Sequence, residues 1–135
     1  MSKKRATNYE RNLGDRFWKE GFAVMRAPSS SGTSIFPRPD LLVGSSKKKK
    51  IFAIELKTAR QETFYVTKKQ INGLTKFSEI FGAIPILAVK YVSKRLPFLF
   101  LKIPDDLIES RGESYVINIE HVTRVGKKLE ELISD

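Results

Sequence analysis

The chain has 135 residues, 41% hydrophobic and 30% charged, and its 25 Lys and Arg against 15 Asp and Glu give a net charge of +10. That fits one globular domain with its own core, and a chain with no Cys and one His, His121, excludes disulfides, thiolate zinc sites, cysteine nucleophiles and His-rich metal clusters. No apolar run approaches the roughly 20 residues that cross a bilayer, and the opening MSKKRATNYER lacks a signal peptide's apolar stretch, so a cytoplasmic protein without membrane contact is expected.

Thr7 followed by Glu10 reads as a capping box, and Tyr9, Leu13, Phe17 and Trp18 then form a helical stripe that ends before Gly21. Residues 22–27 read as a short strand. The segment PSSSGTSIFPRP is rich in Ser, Gly and Pro and reads as a loop. A second strand is predicted over 40–43, and after a turn a third over 51–58. Period-2 alternation there puts Ile51, Ala53, Glu55 and Lys57 on one face and Phe52, Ile54 and Leu56 on the other. Thr67 and Gln70 make another capping-box pair, before a helix carrying Ile71, Leu74, Phe77, Ser78 and Phe81 as far as Gly82. Strands over 84–89 and 98–103 follow, then a short strand at 115–117 and an amphipathic helix over 121–133. The order predicts an α/β domain, a mixed sheet flanked by helices, with residues from about 104 onward as a peripheral strand and helix.

The chemistry-bearing constellation is Pro39-Asp40 with Glu55-Leu56-Lys57, on adjacent predicted strands. Such strands lie about 5 Å apart, so Asp40 at the start of one and Glu55 near the end of the next converge. Two carboxylates that close repel each other, and one stays protonated unless a cation joins them. Mg²⁺ suits the place, since it takes one or two carboxylates and completes its octahedron with water and phosphate oxygens. Lys57, on the face of Glu55, would stand beside that metal and offset charge on a phosphate. The structural alternative is a solvated Glu55–Lys57 pair on an edge strand with Asp40 capping a loop. Ile51-Phe52-Ala53-Ile54-Glu55-Leu56 is too apolar for that, and a carboxylate buried in such a run is costly unless compensated.

The charge is unevenly placed. Residues 1–102 hold 21 basic and 7 acidic side chains, whereas residues 103–135 hold 4 basic and 8 acidic. A basic body of this kind suits a polyanion, with nucleic acid the foremost case.

Glu10-Arg11, Gly21-Phe22-Ala23-Val24-Met25-Arg26-Ala27, Pro39-Asp40, Ile54-Glu55-Leu56-Lys57, Tyr65-Val66, Phe77-Ser78 and Ile84-Pro85-Ile86-Leu87-Ala88-Val89-Lys90 closely resemble the archaeal-type Holliday junction resolvases, the Hjc and Hje enzymes. The resemblance runs from about Arg5 to Lys90, and the last third is only loosely similar. It implies a restriction-endonuclease-like fold in a single nuclease domain, 1–135, and a Mg²⁺-dependent homodimer, with Mn²⁺ substituting. The partner is four-way junction DNA, recognised by shape and cut on opposed strands. The implied metal ligands are Asp40 and Glu55, with Glu10 completing the acidic site and Lys57 as catalytic lysine. Arg11 and Arg26 are implied near the scissile phosphate, Ser30 as a catalytic-loop serine, and Phe77 and Phe81 in dimer assembly.

Each has a plainer alternative. Glu10 is also the capping partner of Thr7, Ser29 or Ser31 aligns nearly as well as Ser30, Gln70 is most simply a cap, and Phe77 and Phe81 suit a core. Opposed cuts need two active centres, which a C₂ dimer supplies to a chain with one cluster. Two rival readings remain: a duplex-cutting nuclease of the same fold, and a basic architectural DNA-binding protein that does not cut.

Overall fold

In the computed structural model the backbone is described for residues 3–28 and 36–135, and side chains for residues 8–28 and 36–135. Helix α1 (Lys3–Lys19) starts ahead of the predicted cap. Lys, Arg and Ala before Thr7 are good helix formers, so Thr7 lies inside the helix and the predicted capping role of Thr7 and Glu10 is overturned. Leu13 and Phe17 are fully buried, whereas Trp18, predicted in the same stripe, is 68% exposed. One residue past Phe17 is a rotation of about 100°, enough to leave the buried face.

Gly21, at φ 90°, turns the chain into β1 (Ala23–Arg26). β2 (Leu41–Ser45) and β3 (Lys50–Ala59) form a hairpin closed by residues 46–49, in which the Ser45 hydroxyl accepts from Lys48 N–H at 3.1 Å. β4 (Thr63–Thr67) is a strand that periodicity does not reveal. It runs directly into α2 (Lys68–Phe81), capped as predicted: Thr67 Oγ1 accepts from Gln70 N–H at 3.1 Å and Gln70 Oε1 from Thr67 N–H at 3.3 Å. β5 (Ile84–Tyr91), β6 (Leu99–Lys102) and β7 (Ser114–Asn118) follow. The helix predicted over 121–133 is two helices, α3 (Ile119–Val125) and α4 (Leu129–Ser134). They part at Gly126, where a Cβ would stand 2.5 Å from the Val122 carbonyl oxygen, and where Lys127 and Phe100 exchange hydrogen bonds of 2.8 and 2.9 Å.

The main sheet has the order β1-β2-β3-β5-β6, with β3 and β5 parallel and the other pairs antiparallel; β4 and β7 form a separate antiparallel ribbon. Alternation along the central strands splits the core in two. Phe52, Ile54, Ile86, Ala88 and Phe100 pack with Leu13 and Phe17 of α1 and with Leu132 and Ile133 of α4. Ala53, Leu87, Val89 and Leu101, on the other face, pack with Ile71 and Leu74 of α2, Val122 of α3, and Val66 and Ile117 of the ribbon. The last third of the chain thus enters both cores and is not peripheral. No described helix is long and apolar enough to cross a membrane.

Ile133→Ala is expected to lower unfolding free energy by about 2–4 kcal/mol in chemical denaturation, whereas Ile108→Ala, at a position 47% exposed, leaves it within about 0.5 kcal/mol. Equal effects would contradict a core role for the C-terminal helix.

Candidate active site

The register between β2 and β3 pairs Leu41 with Ile54, which sets Asp40, one step further, opposite Glu55. Pro39 has no N–H to extend the ladder. Beyond it the Asp40 side chain takes over, its Oδ2 accepting from the Leu56 backbone N–H at 2.8 Å. Glu55 and Lys57 share the face that carries Ala53, as the alternation requires, and Lys57 Nζ stands 3.7 Å from Glu55 Oε2. Glu10 comes from α1, with Oε1 accepting from Arg26 Nε of β1 at 3.1 Å. Glu10, Asp40, Glu55, Lys57 and Arg26 therefore meet where the β1–β2–β3 pairing stops, midway along β3, delivered by α1, the lead into β2, β3 and β1.

Electrostatics tie the group together. Burial, followed by the Asp40 charge, pushes the Glu55 carboxyl up to about 7, against the weaker pull of Lys57. Asp40 is raised by burial, with the Leu56 N–H and Lys57 opposing. Glu10 is raised by burial and by Asp40, with Arg26 opposing. Three desolvated carboxylates within reach of one another's charge, opposed among the described residues by the Lys57 ammonium and the Arg26 guanidinium, form an electrostatic deficit that a cation would fill. All the donors are hard oxygens, which fits a hard divalent ion. Among the described residues no three such side chains already enclose an ion-sized space; an ion of the Mg²⁺ type needs only one or two protein carboxylates and keeps several waters.

The other predicted residues fall differently. Arg11 is exposed on α1, next to Glu10. Ser30 lies outside the described residues. Gln70 is the α2 cap. Phe77 and Phe81 stack on each other, centroids 5.5 Å apart and planes 11° apart, and Phe77 also packs against the α2-side core. Around them Phe36, Pro37, Lys76 and Ile80 complete an apolar hollow of about 350 Å³, in which Ile80 is 77% exposed. A second hollow of about 170 Å³ continues from Phe77 past Met25 and Leu42 to Arg26 and Arg38. Sequence reasoning missed the Leu56 N–H as the group orienting Asp40; the signal was Pro39, which ends the ladder where a side chain must replace it. It also missed that Arg26 is held by Glu10.

A mixed sheet flanked by helices, with paired carboxylates and a lysine where β2 leaves the side of β3, defines the class as a nuclease of restriction-endonuclease-like fold. The family model described as archaeal Holliday junction resolvase (Hjc) matches residues 1–135. The chain is 34% identical to the crossover junction endodeoxyribonuclease Hjc of Methanocaldococcus jannaschii, covering 96% of this chain and 87% of that one, and 31% identical to the protein of the same description from Archaeoglobus fulgidus, covering 96% and 90%. The solved structure of Archaeoglobus fulgidus Hjc, a Holliday junction resolvase, superposes with a TM-score of 0.83 at 28% identity, covering 94% of this chain and 98% of that one. The chain belongs to the archaeal Holliday junction resolvase family.

A pH series follows from Glu55. Its carboxyl ionises near 4.5 in the unfolded chain but near 7 in the fold, so between those values the folded state holds the extra proton and stability falls as pH rises. In metal-free protein that decline is at most about 3 kcal/mol between pH 4.5 and 7. Glu55→Gln flattens it. Denaturation curves in chelator at five pH values check this, and a wild-type slope no steeper than that of the variant would refute it.

Proposed function

We propose that residues 1–135 act as one nuclease domain, a homodimeric endonuclease that resolves four-way DNA junctions by Mg²⁺-dependent cleavage of opposed strands, with Mn²⁺ able to substitute. The observation that carries this reading is the convergence of Asp40, Glu55 and Lys57 at the end of the β2–β3 pair, with Glu10 brought in from α1. Asp40 and Glu55 are the ligands for the metal, with Glu10 beside them. When bound, the ion supplies Lewis-acid polarisation of the phosphate and a water of lowered pKa.

The chain's own groups do the rest. The Leu56 N–H fixes Asp40 and leaves its second oxygen for a ligand. Lys57, beside Glu55, stabilises charge on the phosphate in the transition state. Arg26 holds Glu10 at the rim and presents a guanidinium toward an incoming backbone. Arg11 adds a phosphate contact, and Ser30 is proposed as a catalytic serine on the family resemblance. The basic surface of residues 1–102 serves the sugar-phosphate backbone, whose recognition depends on geometry more than on base edges. The exposed apolar surface of α2 around Phe77 and Phe81 is the contact with a second copy, which gives two centres related by a two-fold axis. The likeness to Hjc proteins supports the junction as substrate. Such an enzyme acts in homologous recombination and DNA repair, in the cytoplasm where its DNA lies.

With a strand-labelled immobile four-way junction, Mg²⁺ is expected to produce paired cuts on opposite strands and nicked duplex products. Linear duplex of the same sequence stays intact; equal cutting would favour a duplex nuclease. Asp40→Ala or Glu55→Ala is expected to reduce cleavage by at least about 10³-fold while junction binding persists in a gel shift; retained cleavage would overturn the site assignment. Binding without cleavage by the wild type under any divalent ion would point to an architectural protein.

Phe77→Ala/Phe81→Ala is expected to shift the protein from dimer to monomer in sedimentation and to uncouple the two cuts. A dimer that persists unchanged would move the interface elsewhere.

A further inference from the structure

Trp18 is the chain's one tryptophan, and α1 leaves it 68% exposed. Among the described residues it makes no ring or cation–π contact. A large aromatic held in water this way has apolar area to bury against a partner. At about 100° per residue, Trp18 lies within about 20° of Arg11 on the helix surface and two turns further along it. Arg11 is likewise exposed, with no ion pair among the described residues. Arg11 follows Glu10, whose carboxylate belongs to the acidic site, and Trp18 stands about 12 Å beyond Glu10 along the axis, the rise of three to four stacked base pairs.

The partner follows from what this stripe carries and where it lies. α1 bears six basic and two acidic residues, and among its described side chains Arg11, Arg16 and Lys19 are exposed, a balance that complements a polyanion. Asp15 is the acid nearest the stripe, about 40° around the helix from Arg11. The apolar surface assigned to a second copy lies on α2, across the sheet from α1, so Trp18 is not part of it. A nucleic acid offers both a phosphate for the arginine and an aromatic face for the indole. In a continuous duplex the base faces are covered by their neighbours; at a branch point stacking is interrupted and a face is open.

We propose that Trp18 is a DNA-binding residue that stacks on an open base face at the junction branch point while Arg11, two turns away on the same stripe, holds the adjoining phosphate backbone. Trp18 thereby acts as a specificity determinant for branched over continuous DNA. The inference rests on the junction reading given above and adds to it a contact that reads interrupted stacking.

Since Trp18 is the only indole, its emission reports this contact directly. The full-length protein is titrated, in chelator so that the DNA stays uncut, with a fluorescein-labelled immobile four-way junction and with linear duplex, while anisotropy of the label follows binding. At saturation by the junction, Trp18 emission is expected to fall by about half and acrylamide access severalfold, with a much smaller change on duplex. Trp18→Ala is expected to weaken junction binding by roughly five- to a hundredfold and duplex binding by less than about twofold, and Trp18→Phe to restore most of the difference. Junction binding seen by anisotropy with unchanged Trp18 emission and acrylamide access would overturn the inference and leave the junction reading standing. Equal losses on junction and duplex in Trp18→Ala would overturn the branch-specific role. An emission change that depends on protein concentration without DNA would assign Trp18 to a protein contact instead. No anisotropy change with junction would overturn the junction reading and this inference with it.

Discussion

A carboxylate in the central strand is the constraint around which this molecule is arranged. Glu55 belongs to the strand with neighbours on both sides and packed layers above and below, and burial is the largest influence on its proton affinity. An isolated charge there would be costly. The cost is met by position: Glu55 lies midway along β3, one residue beyond the last β2–β3 pair, where Lys57, Asp40 and Glu10 reach it. Its apolar neighbours Ile54 and Leu87, the latter paired with it on β5, are fully buried and hold the strand in place. Rigid apolar packing and a destabilised acidic centre are thus two aspects of one strand.

The two faces of the sheet divide the labour. α1 and α4 close one face over an aromatic cluster in which Phe17 meets Phe22, Phe52 and Phe100 with centroids 5.5 to 6.3 Å apart. That packing sets the depth of α1 and, through it, where Glu10 stands. On the other face α2 covers β3 and β5 but leaves Phe81 and Ile80 outward and Met25 of β1 bare. The apolar surface so exposed runs up to Arg26, so the place suited to a second copy borders the acidic site.

Charge follows the same logic. The basic excess lies in residues 1–102, which include every residue of the site, while the acidic excess lies in the last third, where the Lys127–Asp135 pair and the bonds from Lys50 to the Ile133 and Asp135 carbonyls fasten the C-terminus. Lys50 of the body thus holds the backbone end of the acidic segment, and Lys127 pairs with Asp135 within it.

The sequence by itself determined whatever is encoded by near neighbours. Period-2 alternation assigned Glu55 and Lys57 to one face, the Thr67–Gln70 pair fixed the start of α2, and Pro39-Asp40 with Glu55-x-Lys57 supplied the acid pair and lysine; the family resemblance pointed to Glu10, Arg11 and Arg26 as candidates. Tertiary structure decided what depends on distant contacts. β4 exists because β7, about fifty residues later, pairs with it. The C-terminal helix breaks at Gly126 because the edge strand β6 takes Lys127 into its ladder. Glu10 leaves its capping role because residues before Thr7 propagate the helix and Arg26 stands across from it. Trp18 is exposed because the sheet beneath α1 is filled by Leu13 and Phe17. Local pattern fixes which side of an element a residue occupies, and only packing against the rest of the chain fixes what that side meets.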